Sequence, residues 1–508
     1  MVTQQDFQKV LIKLNDQKWR INNLYKITDK EGKKIKFVMN SAQETLYNNL
    51  HYYNVILKAR QLGFTTFIMI YFLDACLFNS NHSAGVIAHT LDDAKSLFKN
   101  KIKYAYDNLP EWLKEARRAK QDNARTLEFN NGSSLYVGTS LRSGTFQKLL
   151  VSEYGKLSAK YPEKAKEVKT GALNTVQAGQ QIFIESTAEG KAGEFYNVCE
   201  WARKLRDSKK KLSRMEPKLN FFPWYDNKEY IATPEEVKHT NITQEMQKYF
   251  NELEYKDIYL RPEQKAWYVL KSNQQGDDMR QEYPATPEEA FMGSMQGAYY
   301  TSEMKFLREN NRIKRIPYDP KHGVFTWWDL GVNDLMTCLF LQYINGEYRF
   351  IDYHEGNDEG WAFYANMLSK KGYNYIRHHL PHDGKNRVRV ADGVLTDKQM
   401  AQQVGIRPVE IIKRTKNTYD DIRNYCKPVL KQCFFDVEKC DKIITHLDNY
   451  RRKWSKSDAM FSNDPLHDEA SHGADAYRTF AVSTDLLLGD DAPPIIDDYL
   501  PPSVGWMG

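Results

Sequence analysis

The sequence predicts an α/β chain of two units in tandem, joined by a less regular stretch. Three observations carry that expectation. A short apolar run at 55–57 enters a turn containing Gly63, and an almost wholly apolar segment follows at 67–78. Further apolar runs at 85–89, 148–151 and 181–185 alternate with helical patterns, the rhythm of a parallel sheet covered on both faces. From about residue 316 a second rhythm begins, with three strands first and then helices and strands in turn.

In chain order, residues 25–38 read as a small hairpin turning at Glu31-Gly32, and 44–52 as a helix. Next come the strand, the turn and the hydroxyl pair Thr65 and Thr66, which opens the apolar helix. Free N–H groups and the positive helix end both face such a turn, making it an anion cradle. The usual phosphate loop ends Gly-Lys-Ser/Thr. Here Gly63 and Thr65 fit that pattern, Phe64 stands where the lysine belongs, and Lys58 stands at the front, from where it could fold back onto phosphates. Upstream, Gln43 is of a type that reads both edges of adenine, or else a plain surface amide. Residues 126–139 form a hairpin tipped by Asn131-Gly132. Arg142 lies in a glycine-containing loop, 141–144. The strand 148–151 ends in Ser152 and Glu153, where a nucleotide hydrolase places its acidic residue. The strand 181–185 closes with Ser186 and Thr187. Phosphate loop, acidic strand end and polar strand end, in that order, are those of a P-loop (RecA/ASCE-like) ATPase domain.

Residues 203–320 lack a clean α/β rhythm. They hold an aromatic cluster at 221–225, a charged helical stretch from Thr233 to about 253, and a basic run at 203–214 that reads as a solvated face or a DNA contact. Past it, strands at 324–329, 337–343 and 348–353 precede a helix (361–371), a strand (375–380), a helix (397–404) and a strand (409–413), with long helical segments finishing the unit. This is the order of an RNase H-like nuclease domain. Its chemistry needs carboxylates at strand ends to hold two divalent ions that clamp a phosphate. Asp329, Asp383 and Asp475 are the candidates, with Mg²⁺ or Mn²⁺ suited to all-oxygen ligands. Asp334, Glu355, Asp468 and His472 are weaker, better read as solvated or helix-capping. Cys426, Cys433 and Cys440 recur every seventh residue, a stripe for packing in one long helix rather than for zinc. Residues 449–456 mix basic and aromatic side chains suited to DNA phosphates. The expected boundaries are 1–225 for the ATPase domain, 226–315 for a lid and linker, 316–485 for the nuclease domain and 486–508 for a flexible, acidic, Pro-rich tail.

Composition sets outer limits. At 508 residues the chain is too long for one core. A net charge of +6 is mild for this length and proves no nucleic-acid partner by itself. Six Cys are no disulfide framework and suit a reducing cytoplasm. The N-terminus has no apolar signal core, and the 67–78 run carries Asp74 and is too short for a bilayer, so no membrane role is expected.

The stretches Lys-Ala-Arg-Gln-Leu-Gly-Phe-Thr-Thr (58–66), Val-Ser-Glu-Tyr-Gly-Lys (151–156) and Glu-Ser-Thr-Ala-Glu-Gly (185–190) resemble the large terminase subunit of tailed bacteriophages. So do 281–291 and the segment around Asp475. The resemblance implies that Lys58, Gly63 and Thr65, with Thr66 beside them, bind ATP phosphates and Mg²⁺, that Glu153 is catalytic, that Gln43 contacts adenine, and that Ser186 and Thr187 couple hydrolysis to movement. It makes Arg60 and Arg142 arginine-finger candidates, Arg142 favoured in trans, with a surface arginine the plainer alternative. Ser152 replaces the usual aspartate, leaving Mg²⁺ one negative charge fewer. It also implies double-stranded DNA, portal protein, small terminase subunit and procapsid as partners, a homo-oligomeric ring on the portal, and the host cytoplasm as location. Against it stand a helicase–nuclease of DNA repair, which would displace strands, and an inactive assembly scaffold, which would release no phosphate.

Overall fold

The structure is a computed structural model describing residues 12–487 except 142–143, 192, 292–296, 332–334, 391–392, 414, 416 and 456–459. The chain divides into two compact units, Met1–Gly293 and Ser294–Gly508. The 226–315 stretch is therefore shared between the units. No described helix is long and apolar enough to cross a membrane.

In the first unit, helix α1 (Ser41–Asn48) precedes β1 (Tyr53–Lys58), and α2 (Phe64–Phe78) follows the turn. Helix α1 starts three residues earlier than the sequence suggests, because Asn40 caps it: its side chain accepts from Gln43 N–H while Gln43 accepts from Asn40 N–H. All six residues of β1 are buried, and α2 is buried almost all round, as a helix apolar on every face must be. Then come β2 (Ser83–Ile87), β3 (Ala119–Asp122), β4 (Thr126–Phe129), β5 (Ser134–Gly138), β6 (Lys148–Ser152), α3 (Tyr154–Lys160), β7 (Gln181–Ser186), α4 (Gly193–Asp207) and β8 (Lys218–Phe222). The sheet order is β8-β1-β7-β6-β2-β5-β4-β3. The strands from β8 to β5 are parallel, and β4 and β3 add an antiparallel edge. The polar-ended strand β7 thus lies between the loop strand β1 and the acidic strand β6, the layout of the ASCE class. The charged stretch from Thr233 breaks into a short turn of helix and then α5 (Gln244–Glu254), which with α6 (Pro262–Gln275) covers the aromatic cluster. There Trp224 stacks on Trp267, which stacks on Tyr230 at 4.5 Å.

The second unit contains β9 (Ile313–Lys314), β10 (Val324–Asp329), β11 (Met336–Ile344), β12 (Glu347–Gly356), α7 (Trp361–Lys371), β13 (Tyr375–Leu380), α8 (Asp397–Gln403), β14 (Val409–Ile411), β15 (Cys433–Asp436), α9 (Asp441–Asn449) and α10 (Glu469–Ala481). Their order is β9-β15-β12-β11-β10-β13-β14. Strands β12, β11 and β10 are antiparallel, and β13 and β14 continue parallel to β10. This is the RNase H-like arrangement, extended at one edge. The expectation of only long helices after 413 fails. Phe434 and its neighbours pair with β12 as a largely buried strand, and Arg452–Ser455 pairs antiparallel with Met460–Pro465. The cysteine stripe fails with it. Cys426, Cys433 and Cys440 are all buried, but they sit in a helical segment, in β15 and before α9. Sevenfold spacing matched a helix that the β-rich Cys-Phe-Phe segment does not form.

Candidate active sites

The loop between β1 and α2 is built by backbone conformation. Gln61 and Gly63 both take positive φ, +55° and +75°, so the chain reverses sharply and presents the uncapped end of α2. Two side chains brace it from below: Asn40 Nδ2 donates to Leu62 O at 3.1 Å, and Gln43 Nε2 donates to Gly63 O at 2.9 Å. A Cβ on Gly63 would lie 2.6 Å from Gln43 Nε2. Gln43 is buried, and its amide oxygen is also spent on the Asn40 N–H. The amide nitrogen of Gln43 thus braces the loop while its oxygen closes the cap of α1. Phe64, in the lysine's place, is buried against Phe222 at 4.4 Å.

Lys58 closes β1 and is buried, with Nζ 3.2 Å from both Glu153 Oε1 and Glu185 Oε2. Burial alone would lower its pKa, but the two carboxylates outweigh that and raise it. Burial works against ionisation of Glu153 too, yet Lys58 and Lys156 hold its pKa below the usual value. Glu153 itself is left-handed, φ +51° and ψ +46°, a conformation that non-glycine residues seldom take. Glu185 gathers the rest. Its Oε1 accepts from Thr65 Oγ1 at 2.5 Å and from Ser152 Oγ at 2.9 Å. Thr66 lies half-buried in the first turn of α2. Ser186 Oγ and Thr187 Oγ1 are buried without a hydrogen-bond partner among the described residues, and both residues pack on Gly155. Arg60 pairs bidentately with buried Glu282, one contact being 2.9 Å. Arg142 lies outside the described residues. A cleft of about 450 Å³ lined by Tyr53 and Ile182 lies at the opposite ends of the same strands, not at the loop.

Glu185 and Glu282 were missed in the sequence. Glu185 leaves one trace there, a carboxylate inside an apolar strand. Glu282, 222 residues from Arg60, leaves none.

In the second unit, β10 and β13 run parallel, so Asp329 at the end of one and Asp383 in the turn after the other reach the same sheet edge. Helix α10 adds Asp475, and the three line one cleft of about 340 Å³ with Arg478, Asp421 and Lys413. Burial and the Asp383 charge push Asp329 up, against His472, and burial with the Asp329 charge pushes Asp475 up to about 6, against Arg478. Asp383 Oδ1 is buried without a hydrogen bond. The oxygen-only donors suit a hard cation. Among the described residues, no group of three His, Cys, Asp or Glu side chains is gathered closely enough to hold a metal ion. Asp475 contacts Arg478 at 3.3 Å and Tyr450 at 3.4 Å, and Asp329 contacts His472 at 3.4 Å.

Among the weaker candidates, His472 contacts Asp329. Asp468 caps α10 and pairs with Arg451 at 3.0 Å, so Arg451, buried, is not the DNA-facing side chain that 449–456 suggests. Glu355 is neither solvated nor a cap. Despite its burial, His446 and Lys442 hold its pKa down to about 2. Asp334 lies outside the described residues.

No protein-family model matches the chain, and no curated protein does. Among solved structures it is similar to the large terminase of thermophilic bacteriophage D6E in complex with ATP-gamma-S, at 14% identity over 87% of this chain and 98% of that one, TM-score 0.30. It is similar to the HK97 bacteriophage large terminase at 11% identity, over 86% and 95%, TM-score 0.39. It also resembles the P22 large terminase nuclease domain at 12% identity, over 34% and 86%, TM-score 0.27. Likenesses this distant carry no argument for the sites, whose reading rests on the strand order and side chains above.

Proposed function

We propose that the first unit hydrolyses ATP, that the second cuts DNA with divalent cations, and that together they serve as the large subunit of a phage DNA-packaging motor. The observation that carries this reading is Lys58 held between Glu153 and Glu185 at the carboxyl ends of three adjacent strands. A buried lysine facing an uncapped helix end, beside an acidic strand end, is the machinery for phosphoryl transfer.

Lys58, the loop N–H groups and the hydroxyls of Thr65 and Thr66 would hold the phosphates and their Mg²⁺. Bound ATP supplies the phosphoanhydride whose cleavage drives movement. Lys58 cannot serve two carboxylates and a polyphosphate equally, so its shift toward phosphate releases Glu153 to orient the attacking water. Arg60 must leave Glu282 before it can act as a finger. Ser186 and Thr187, packed on the turn after Glu153, carry the change into β7. In the second unit Asp329, Asp383 and Asp475 would hold Mg²⁺ or Mn²⁺, which supply Lewis acidity at a scissile phosphate. For that, Asp475 must let go of Arg478. The substrate is double-stranded DNA moved into a procapsid, with portal protein and small terminase subunit as partners, a ring of copies on the portal, and the host cytoplasm as the setting.

Phosphate release and plasmid cutting test the reading together. Lys58→Ala and Glu153→Ala abolish ATP hydrolysis, and Asp383→Ala abolishes cutting in Mn²⁺. Hydrolysis surviving in Lys58→Ala would mean that the loop is misread. Cutting at the unmodified rate by Asp383→Ala would remove the nuclease assignment.

A further inference from the structure

In phosphate-loop ATPases, Mg²⁺ is held by the loop's Ser/Thr and by an acidic residue at the end of the strand that precedes the catalytic carboxylate. This chain has Ser152 at that place. Ser152 sits directly across from Glu185 in the parallel pairing of β6 with β7. Its hydroxyl donates to Glu185 Oε1, and Thr65, the loop hydroxyl, donates to the same oxygen. Glu185 Oε2 lies 3.2 Å from Lys58 Nζ, an ion pair without hydrogen-bond geometry, and takes no hydrogen bond despite complete burial.

We propose that Glu185 is the positioning carboxylate of the Mg²⁺–nucleotide site, carrying from the neighbouring strand the charge that Ser152 lacks. A fully buried carboxylate is costly unless something requires it. Neutralising Lys58 does not require Glu185, because Glu153 stands at the same distance from Nζ. The three groups sum to one negative charge, which the entry of a dication compensates. The charge missing along the strand is thereby restored across it, one residue pair away, and oriented by the hydroxyls of Ser152 and Thr65.

This inference rests on the ATPase reading above, and the test separates the two. Binding of mant-ATP is titrated by fluorescence with Mg²⁺ and with EDTA, in the full chain and in Glu185→Gln and Ser152→Asp/Glu185→Gln, each checked by thermal melting. In the unmodified chain Mg²⁺ tightens binding. Glu185→Gln loses roughly 10- to 100-fold of that tightening, the usual effect of removing a carboxylate that supports a metal, while affinity in EDTA changes far less. The double variant regains most of the loss, because the charge returns to the strand that ordinarily carries it. A full Mg²⁺ effect in Glu185→Gln, or no recovery in a folded double variant, overturns the proposal. Failure of both variants to fold does so too, since Glu185 would then be a structural charge. No mant-ATP binding by the unmodified chain under either condition would instead remove the ATPase reading itself.

Discussion

Asp74 is the one charge inside α2, and it is wholly buried. Arg20 grips it through two nitrogens at 3.0 and 2.7 Å, Tyr25 Oη donates at 2.8 Å and Gln17 Nε2 at 3.2 Å. Asp74→Ala strands a buried guanidinium and costs about 3–5 kcal/mol, measurable as a fall in the denaturant midpoint. His378 and His379 are buried in the second unit, and burial pushes their pKa values down to about 3 and about 4, for His379 against its hydrogen bond to Thr326 O. Both are neutral in the folded chain while the unfolded chain takes up protons near pH 6.5. Their contribution is thus complete above about pH 6.5 and drains away as pH falls toward 4. His378→Asn lessens the pH dependence of the melting temperature in that window, by about one proton's worth.

β7 and the start of α3 meet in close contact at Gly155, where the proposed coupling would pass. A Cβ on Gly155 would lie 2.6 Å from Thr187 O and 2.8 Å from Ser186 Oγ. Backbone cannot yield there as a side-chain tip can, so Gly155→Ala pushes α3 away and carries Glu153 with it. The expected result is a stability loss of about 1–3 kcal/mol and hydrolysis slowed roughly 10²-fold, with mant-ATP still bound. The loop is held equally closely from the other side. Ala59 N–H donates to Phe222 O, Tyr230 Oη to Arg60 O, and Arg60 N–H to Glu282 O. Segments far along the chain thus set the conformation of a turn that short-range sequence makes recognisable but does not hold in place.

Each unit has its own sheet and its own buried core. The two proposed activities are therefore expected to fail independently: Lys58→Ala retains Mn²⁺-dependent cutting of plasmid, and Asp383→Ala retains phosphate release. Loss of both activities in either variant would show that one site depends on the other.

The sequence by itself determined the parallel α/β rhythm of the first unit, the reversal at Gly63, Lys58 at the end of its strand and Glu153 just after its own, and the strands 324–329 to 409–411 of the second unit. These follow from continuous apolar runs, turn chemistry and helix-end chemistry, which act over a few residues. It failed where a residue's meaning lies in a distant neighbour. Glu185 read only as the end of a strand, Arg451 as one member of a basic and aromatic run, and the sevenfold cysteines as one helix. Only the tertiary structure decided that Glu185 meets Ser152 across the sheet, that Gln43 is spent beneath the loop, and that Arg60 answers to Glu282. Burial and charge pairing depend on which segments the fold brings together, and no local pattern encodes an attraction between groups separated by scores or hundreds of residues.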